Sequence, residues 1–192
     1  MANQLYNTIN AIAPISKHEF EYFTTLFTPK KLRKRQYLLQ ESDICKYQAF
    51  VEKGILRSYT IDEKGDEHIL QFATEGWWVA DLSSYFTGEP SFLNIDALED
   101  VEMLLISKPS WEQGMKEIPA LERYFRIIIQ NHLIATQRRL LQSLTETAEE
   151  KYNRFLQAYP ACAQRLSQRQ IAAYLGVSRE TLSRIRKCAT AK

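Results

Sequence analysis

The sequence predicts an α+β chain with a β-sandwich or a roll, then one long helix, then a small C-terminal helix-turn-helix. Three observations carry this. Residues 32–107 have the texture of short strands parted by turns, and residues 120–144 keep a helical pattern without a breaker. "LSQRQIAAYLGVSRETLSRIRK", at 166–187, sets two short helical patterns about a glycine. The expected domains are 1–118 (leading helices and roll), 119–145 (long helix) and 146–192 (helix-turn-helix).

In chain order, Leu5, Ile9 and Ile12, then Phe20, Phe23, Leu26 and Phe27, fall at helical spacings interrupted by Pro14, so two short helices are expected. "AFVEKGILRSYTI" is rich in β-formers, and "DEKGDE" at 62–67 supplies the turn before "HILQFA", a hairpin signal. "LNIDALED" followed by "VEMLLIS" reads as a further strand pair. Pro109 and Pro119 bracket a short helix. The long helix follows, and its heptad rows are Ala120, Ile127, Ile134, Leu141 and Tyr124, Asn131, Arg138. Such rows suit a two-stranded dimer seam, in which an asparagine fixes register. "TAEEKYNRFLQAYP" gives a shorter helix with Thr147 as its cap, Tyr152, Phe155, Leu156 and Tyr159 inward, and Pro160 at its end.

The 192 residues, 45% hydrophobic and 25% charged, have the balance of a globular protein with one or two cores. No apolar run approaches the roughly 18 residues of a membrane span. The start lacks the basic-then-apolar layout of a signal peptide, so a cytoplasmic protein is expected. Cys45, Cys162 and Cys188 have no metal-ligand spacing and are expected as isolated reduced thiols. From Arg165 onward seven basic residues face one acid, a net +6, while the remainder is −4. A basic module on a mildly acidic body suits a polyanion-binding end. "KKLRKR" at 30–35 is a second basic run, expected as a solvated segment.

The closing stretch has the layout of a DNA reader. Ser167 and Gln170 form a capping-box pattern, Ile171 and Leu175 share a face, and Ala172 lets another helix approach. Gly176 supplies the positive φ at which the chain reverses. Val177 turns inward, Ser178 caps the next helix, and Leu182 and Ile185 form its buried side. Glu180, Ser183, Arg184 and Lys187 then share an outward stripe beside Arg179. Arginine grips guanine O6 and N7 with two hydrogen bonds, and a carboxylate facing bases can accept from cytosine N4.

With these parts in this order the whole chain resembles the Crp/Fnr family of bacterial transcriptional regulators. "FVEKGILRSYTIDEKGDEHILQF", "EGWWVADLSSYFTGEPS" and "IDALEDVEMLLIS" match its β-roll sensor domain, and "SRETLSRIRK" matches its winged helix-turn-helix. The resemblance implies that Arg179, Glu180, Ser183 and Arg184 read bases. It implies that Ser167, Gln168, Arg169, Ser178, Thr181 and Lys187 hold phosphates. Arg179, Glu180 and Arg184 match the cyclic-AMP-receptor branch, while Glu180, Ser183 and Arg184 match the oxygen-sensing branch, so both half-site preferences stay open. Tyr124, Ile127, Asn131, Ile134, Arg138 and Leu141 are the expected dimer-helix set. Five residues follow Lys187, so a reduced wing is expected. Partners implied are double-stranded DNA, a second copy of the chain, and RNA polymerase.

The sensor end departs from the family pattern. "ADLSSYFTGEPSFLN" puts Asp81 where a glutamate grips ribose, but Ser91 and Phe92 where Arg and Ser hold the cyclic phosphate. Phosphate recognition needs a cation or converging N–H donors, so cyclic AMP is not expected to bind. Asp81, Leu82, Ser91 and Phe92 are the residues expected at an effector pocket, which Trp77, Trp78, Tyr85 and Phe92 could equally fill. The iron–sulfur cysteine cluster of the oxygen-sensing branch is absent, and His18, His68 and His132 are too scattered to suggest haem ligation. No cofactor or metal is predicted, and no catalytic arrangement stands out. The alternative reading is a ligand sensor whose degenerate DNA module makes only protein contacts.

Overall fold

The computed structural model describes residues 3–190, without the side chains at 3, 161 and 188–190. Two short helices open the chain, α1 (Asn3–Asn10) and α2 (Lys17–Thr25). Ser16 caps α2 in a reciprocal box with Glu19, whose carboxyl this hydroxyl and the Ser16 N–H hold below the usual carboxylate range. Eight strands follow: β1 (Phe27–Leu32), β2 (Tyr37–Leu39), β3 (Tyr47–Lys53), β4 (Leu56–Ile61), β5 (Glu67–Ala73), β6 (Trp78–Val79), β7 (Asn94–Ala97) and β8 (Val101–Ser107). A short helix, α3 (Leu82–Thr87), sits between β6 and β7. The strands form two four-stranded sheets, in orders β1-β8-β3-β6 and β2-β7-β4-β5. This is the expected roll, and the chain is α+β.

One expectation needs correction. "LNIDALED" and "VEMLLIS" do become β7 and β8, but they do not pair with each other. β7 pairs with β2 and β4, and β8 pairs with β1 and β3, in the other sheet. The strand β8 shows why. Its Val101, Met103 and Leu105 face one apolar cluster, with Leu56, Ile95 and Ala97 of the second sheet. Its Leu104 and Ile106 face another, with Leu5, Ile9, Phe23 and Phe50. A strand covered on both faces belongs at the interior of a sheet, not at a hairpin edge. At the β3–β4 turn Gly54 has φ +95, and a Cβ there would lie 2.6 Å from the Asp100 carbonyl oxygen. Any larger residue would push the sheets apart.

The helix α4 (Lys108–Glu117) leads into α5 (Pro119–Thr145). Then come α6 (Ala148–Ala158), a single turn α7 (Pro160–Ala163) that the sequence pattern did not reveal, α8 (Gln168–Leu175) and α9 (Arg179–Thr190). Pro160 ends α6 as expected and also starts α7, because a proline is tolerated in a helix's first turn. Thr147 caps α6 as expected, and with Glu150 it closes a capping box. The chain divides into two compact units, Met1–Thr60 with Gln71–Asn131, and Ile61–Leu70 with His132–Lys192. The dividing point falls inside α5, and the second unit takes in the tip of the β4–β5 hairpin. Among the described residues, no helix is long and apolar enough to cross a membrane.

Candidate nucleic-acid interface

Each residue around α8 and α9 has a local reason to be where it is. The Ser167 N–H donates to Gln170 Oε1 at 2.8 Å and the Gln170 N–H returns a bond to Ser167 Oγ at 3.3 Å. A cap of this kind is worth about 1 kcal/mol. Gly176 takes φ +67 and its N–H reaches the Ala172 carbonyl, closing α8. The Thr181 N–H donates to Ser178 Oγ at 3.2 Å, which makes Ser178 the cap of α9. Ile171, Ala172, Leu175 and Leu182 are buried, and they pack with Tyr152 and Phe155 of α6 into a three-helix core. Val177 and Ile185 are only partly buried.

That packing decides which side of α9 is left outside. Arg179, Glu180, Arg184 and Lys187 are exposed and Ser183 is half-buried, so the expected base-reading set shares one helix face. Backbone N–H at the helix start, the Ser178 hydroxyl and neighbouring Arg179 lower the Glu180 carboxyl's pKa, keeping it an acceptor. Ser178 also donates to Thr181 Oγ1 at 3.1 Å, and Arg184 lies 3.5 Å from the same oxygen. Of the expected phosphate set, Ser167, Arg169, Ser178 and Lys187 are exposed, and Gln168 and Thr181 are half-buried. Ser167, Gln168, Arg169, Ser178 and Thr181 stand at the first turns of α8 and α9, where unpaired N–H groups favour an anion. α9 is helical to Thr190, so the expected reduced wing does not form among the described residues.

The long helix requires a second correction. Tyr124, expected in a dimer seam, is fully buried, and its hydroxyl accepts from Trp78 Nε1 at 3.0 Å. Its ring packs edge-on to Phe125, within the core that includes Leu121 and Phe50. Burial pushes the Tyr124 hydroxyl up to about 12. An aromatic with one polar tip is better accommodated there than in a two-helix seam, and a heptad count cannot see the difference. The opposite face of α5 is uncovered. Ile129, Leu133, Leu140 and Leu144 are 45%, 56%, 62% and 76% exposed, with Ile134 and Leu141 on the flank at 47% and 63%. At 100° per residue the first four lie within about 60° of arc. Ile127 is half-buried, and Asn131 and Arg138 are exposed but lie well round the helix from this stripe.

In the roll, Asp81 and Ser91 come together as expected, but they are turned to each other. Asp81 caps α3, its Oδ1 accepting from the Ser84 N–H, while Ser91 Oγ donates to Asp81 Oδ2 at 2.7 Å. Both are buried. Leu82 is 36% exposed and Phe92 is 77% exposed, so Phe92 does not fill a pocket. Trp77 is 40% exposed, whereas Tyr85 is a core residue and Trp78 is half-buried against the core. A cavity of about 320 Å³ lies elsewhere in the roll, lined by Leu39, Ile44, Cys45, Lys46 and Tyr47 among others, and by none of the four expected pocket residues. A buried pair the sequence reading passed over, Arg57 and Asp96, faces across β4 and β7 with Arg57 Nε 2.7 Å from Asp96 Oδ1. The only sequence signal for it was one charge of opposite sign on each of two short strands.

Cys45 and Cys162 are buried, and desolvation pushes the Cys45 thiol up; the Cys188 side chain lies outside the described residues. No group of metal-ligating side chains forms among the described residues. In the basic run 30–35, Lys30, Lys31, Arg33, Lys34 and Arg35 are exposed, with Lys31 3.0 Å from Glu102.

A two-sheet roll, a long helix and a terminal helix-turn-helix, in that order, are the parts that the resemblance to bacterial regulators implied. The comparisons with known proteins agree. Residues 29–117 match the family model described as a cyclic nucleotide-binding domain. The fumarate nitrate reduction regulatory protein of Klebsiella oxytoca is 27% identical over 187 residues, covering 89% of this chain and 72% of that protein. The anaerobic regulatory protein of Aggregatibacter actinomycetemcomitans is 26% identical over 183 residues, covering 89% and 70%. Among solved structures, the c-di-GMP responsive global regulator CLP of Xanthomonas campestris superposes with a TM-score of 0.75 at 16% identity, covering 92% of each chain. FixK2 of Bradyrhizobium japonicum does so at 0.73 and 22% identity, covering 86% and 85%. Over 89% of its length the chain is therefore similar to these regulatory proteins, it shares its fold with the two solved regulators, and residues 29–117 match a cyclic nucleotide-binding domain. Its relatives are transcription regulators, not enzymes.

Proposed function

We propose that this chain acts as a homodimer on a two-fold symmetric DNA site, each protomer laying α9 in the major groove of one half-site. The outward face of α9 carries this reading: Arg179, Glu180, Ser183 and Arg184 share one side of a helix whose other side is the module's core. The two arginines supply bidentate donors for guanine, and Glu180 is the acceptor for cytosine N4. Ser167, Gln168, Arg169, Ser178, Thr181 and Lys187 hold the backbone and set register without reading sequence. Crp/Fnr regulators bind DNA as dimers, and the bare stripe Ile129, Leu133, Leu140, Leu144 on α5 is the surface that would meet its copy. RNA polymerase is the further partner this reading implies.

The signal at the roll, if one acts there, is a small molecule other than cyclic AMP, and it works without haem or an iron–sulfur cluster. The support is Ser91 and Phe92 at the positions where Arg and Ser hold the cyclic phosphate in the family pattern, with no cation there and the Ser91 hydroxyl turned to Asp81. Selection of fragmented source-genome DNA by the purified protein tests the reading. It predicts an enriched palindrome with half-sites about one helical turn apart, with no nucleotide added. A folded dimer that enriches nothing, with or without cyclic AMP, would contradict it.

A further inference from the structure

The second compact unit holds a residue that no DNA-reading pattern accounts for. Arg139, half-buried on α5, donates from Nη1 to the Leu70 carbonyl and reaches the Ile69 carbonyl from Nη2 at 3.4 Å. Its guanidinium also lies over the ring of Tyr174 on α8, 4.7 Å from the centroid. Tyr174 in turn donates to the Tyr159 hydroxyl at 3.3 Å and packs with Phe155 at 5.5 Å. One side chain thus touches the hairpin tip Ile61–Leu70, the long helix, and the first helix of the helix-turn-helix.

The chemistry explains why it is an arginine. β5 is the edge strand of its sheet, so carbonyls on its outer side have no partner strand and need donors from elsewhere. A guanidinium offers five N–H groups in a planar fork and a flat face that stacks on an aromatic ring. It can therefore bind the strand edge and hold Tyr174 at once. A lysine ammonium could do one of these but not both.

We propose that Arg139 is the positioning residue through which the hairpin tip fixes the stance of α8 and, through it, of the reading helix α9. The proposal rests on the DNA-reading function above, so its test has one arm that does not involve DNA. Hydrogen exchange of residues 61–70 in the free protein is compared for the wild type, Arg139→Ala, Arg139→Lys, Tyr174→Phe and Tyr174→Leu. Exchange at the tip rises in Arg139→Ala, rises less in Arg139→Lys, and stays near wild type in Tyr174→Phe, which keeps the ring. On DNA, Arg139→Ala and Tyr174→Leu each lose about tenfold in selective affinity, with the salt slope unchanged and only partial recovery in Arg139→Lys. Two results would overturn the proposal: tip exchange unaltered in Arg139→Ala, or uniform weakening on all sequences with the salt slope lower by about one, the mark of a phosphate contact. If the wild type itself fails to discriminate sequences, the DNA reading falls while the exchange arm still decides whether Arg139 holds the tip.

Discussion

Two polar constellations in this molecule are built in opposite ways. In the roll, Asp81 and Ser91 are buried and hydrogen-bonded to each other, and Ser84 is drawn in as well. On α9, Arg179, Glu180 and Arg184 stand outside, and the hydrogen bonds that shape the helix run through Ser178, Thr181 and the backbone instead. The first arrangement satisfies its own donors and acceptors, so it stabilises the fold and offers little to a ligand. The second leaves strong donors in solvent, where they gain by meeting base edges. In a chain whose residues 29–117 match a cyclic nucleotide-binding domain, Asp81 and Ser91 bond to each other while α9 keeps its polar face outside.

The largest effect should come from the surface that pairs the two reading helices. Leu140→Asp with Leu144→Asp puts two carboxylates on the bare stripe of α5, and a monomer with at least a hundredfold loss of operator affinity is expected, since half the contacts are lost. Sedimentation checks the first part, and a dimer persisting in the double variant would relocate the seam. Next, Arg184→Ala should cost about 1–3 kcal/mol of operator affinity and leave the melting temperature unchanged. Asp81→Ala should do the reverse. It removes a helix cap and the Ser91 hydroxyl's 2.7 Å bond to Asp81, leaving that hydroxyl its Leu93 partners, and costs about 0.5–2 kcal/mol of stability with little effect on DNA affinity. If both variants moved the same quantity, the contrast between the two constellations would fail.

Smaller effects sharpen it further. Lys187→Ala should weaken all sequences alike and lower the salt slope by about one unit. At the Thr147 cap, Glu150 has its pKa lowered first by the Thr147 backbone and then by its hydroxyl. A carboxyl whose folded pKa lies below its unfolded value stabilises above about pH 4.3, and that contribution is lost as pH falls through the folded value. Glu150→Gln should therefore flatten the acid limb of stability slightly, read by circular dichroism at α6.

Much of this was legible in the residues, and the reasons are local. The capping box at Ser167, the cap at Thr147 and the turn glycine at 176 are short-range signals, and each falls where the pattern places it. What failed was long-range. The strands β7 and β8 looked like a hairpin because they are adjacent in sequence, and only the two-sided burial of β8 shows that they separate into different sheets. Tyr124 fitted a heptad row, yet its partners Trp78 and Phe50 lie some fifty and seventy residues away in sequence. The Asp81–Ser91 bond was likewise out of reach, because sequence supplies which residues stand at a site but not whether they face a ligand or each other. Arg139 gave no motif at all, since both of its partners lie outside the helix that carries it.

The most direct test of the account is a base-by-base substitution scan of the selected operator, run in parallel on the wild type and on Arg184→Ala. The account predicts that the wild type is penalised at symmetric positions in both half-sites, and that the variant loses discrimination at one base pair in each while keeping the rest. Uniform weakening of the variant at every position would contradict it, because α9 would then be holding phosphates and something else would be reading the sequence.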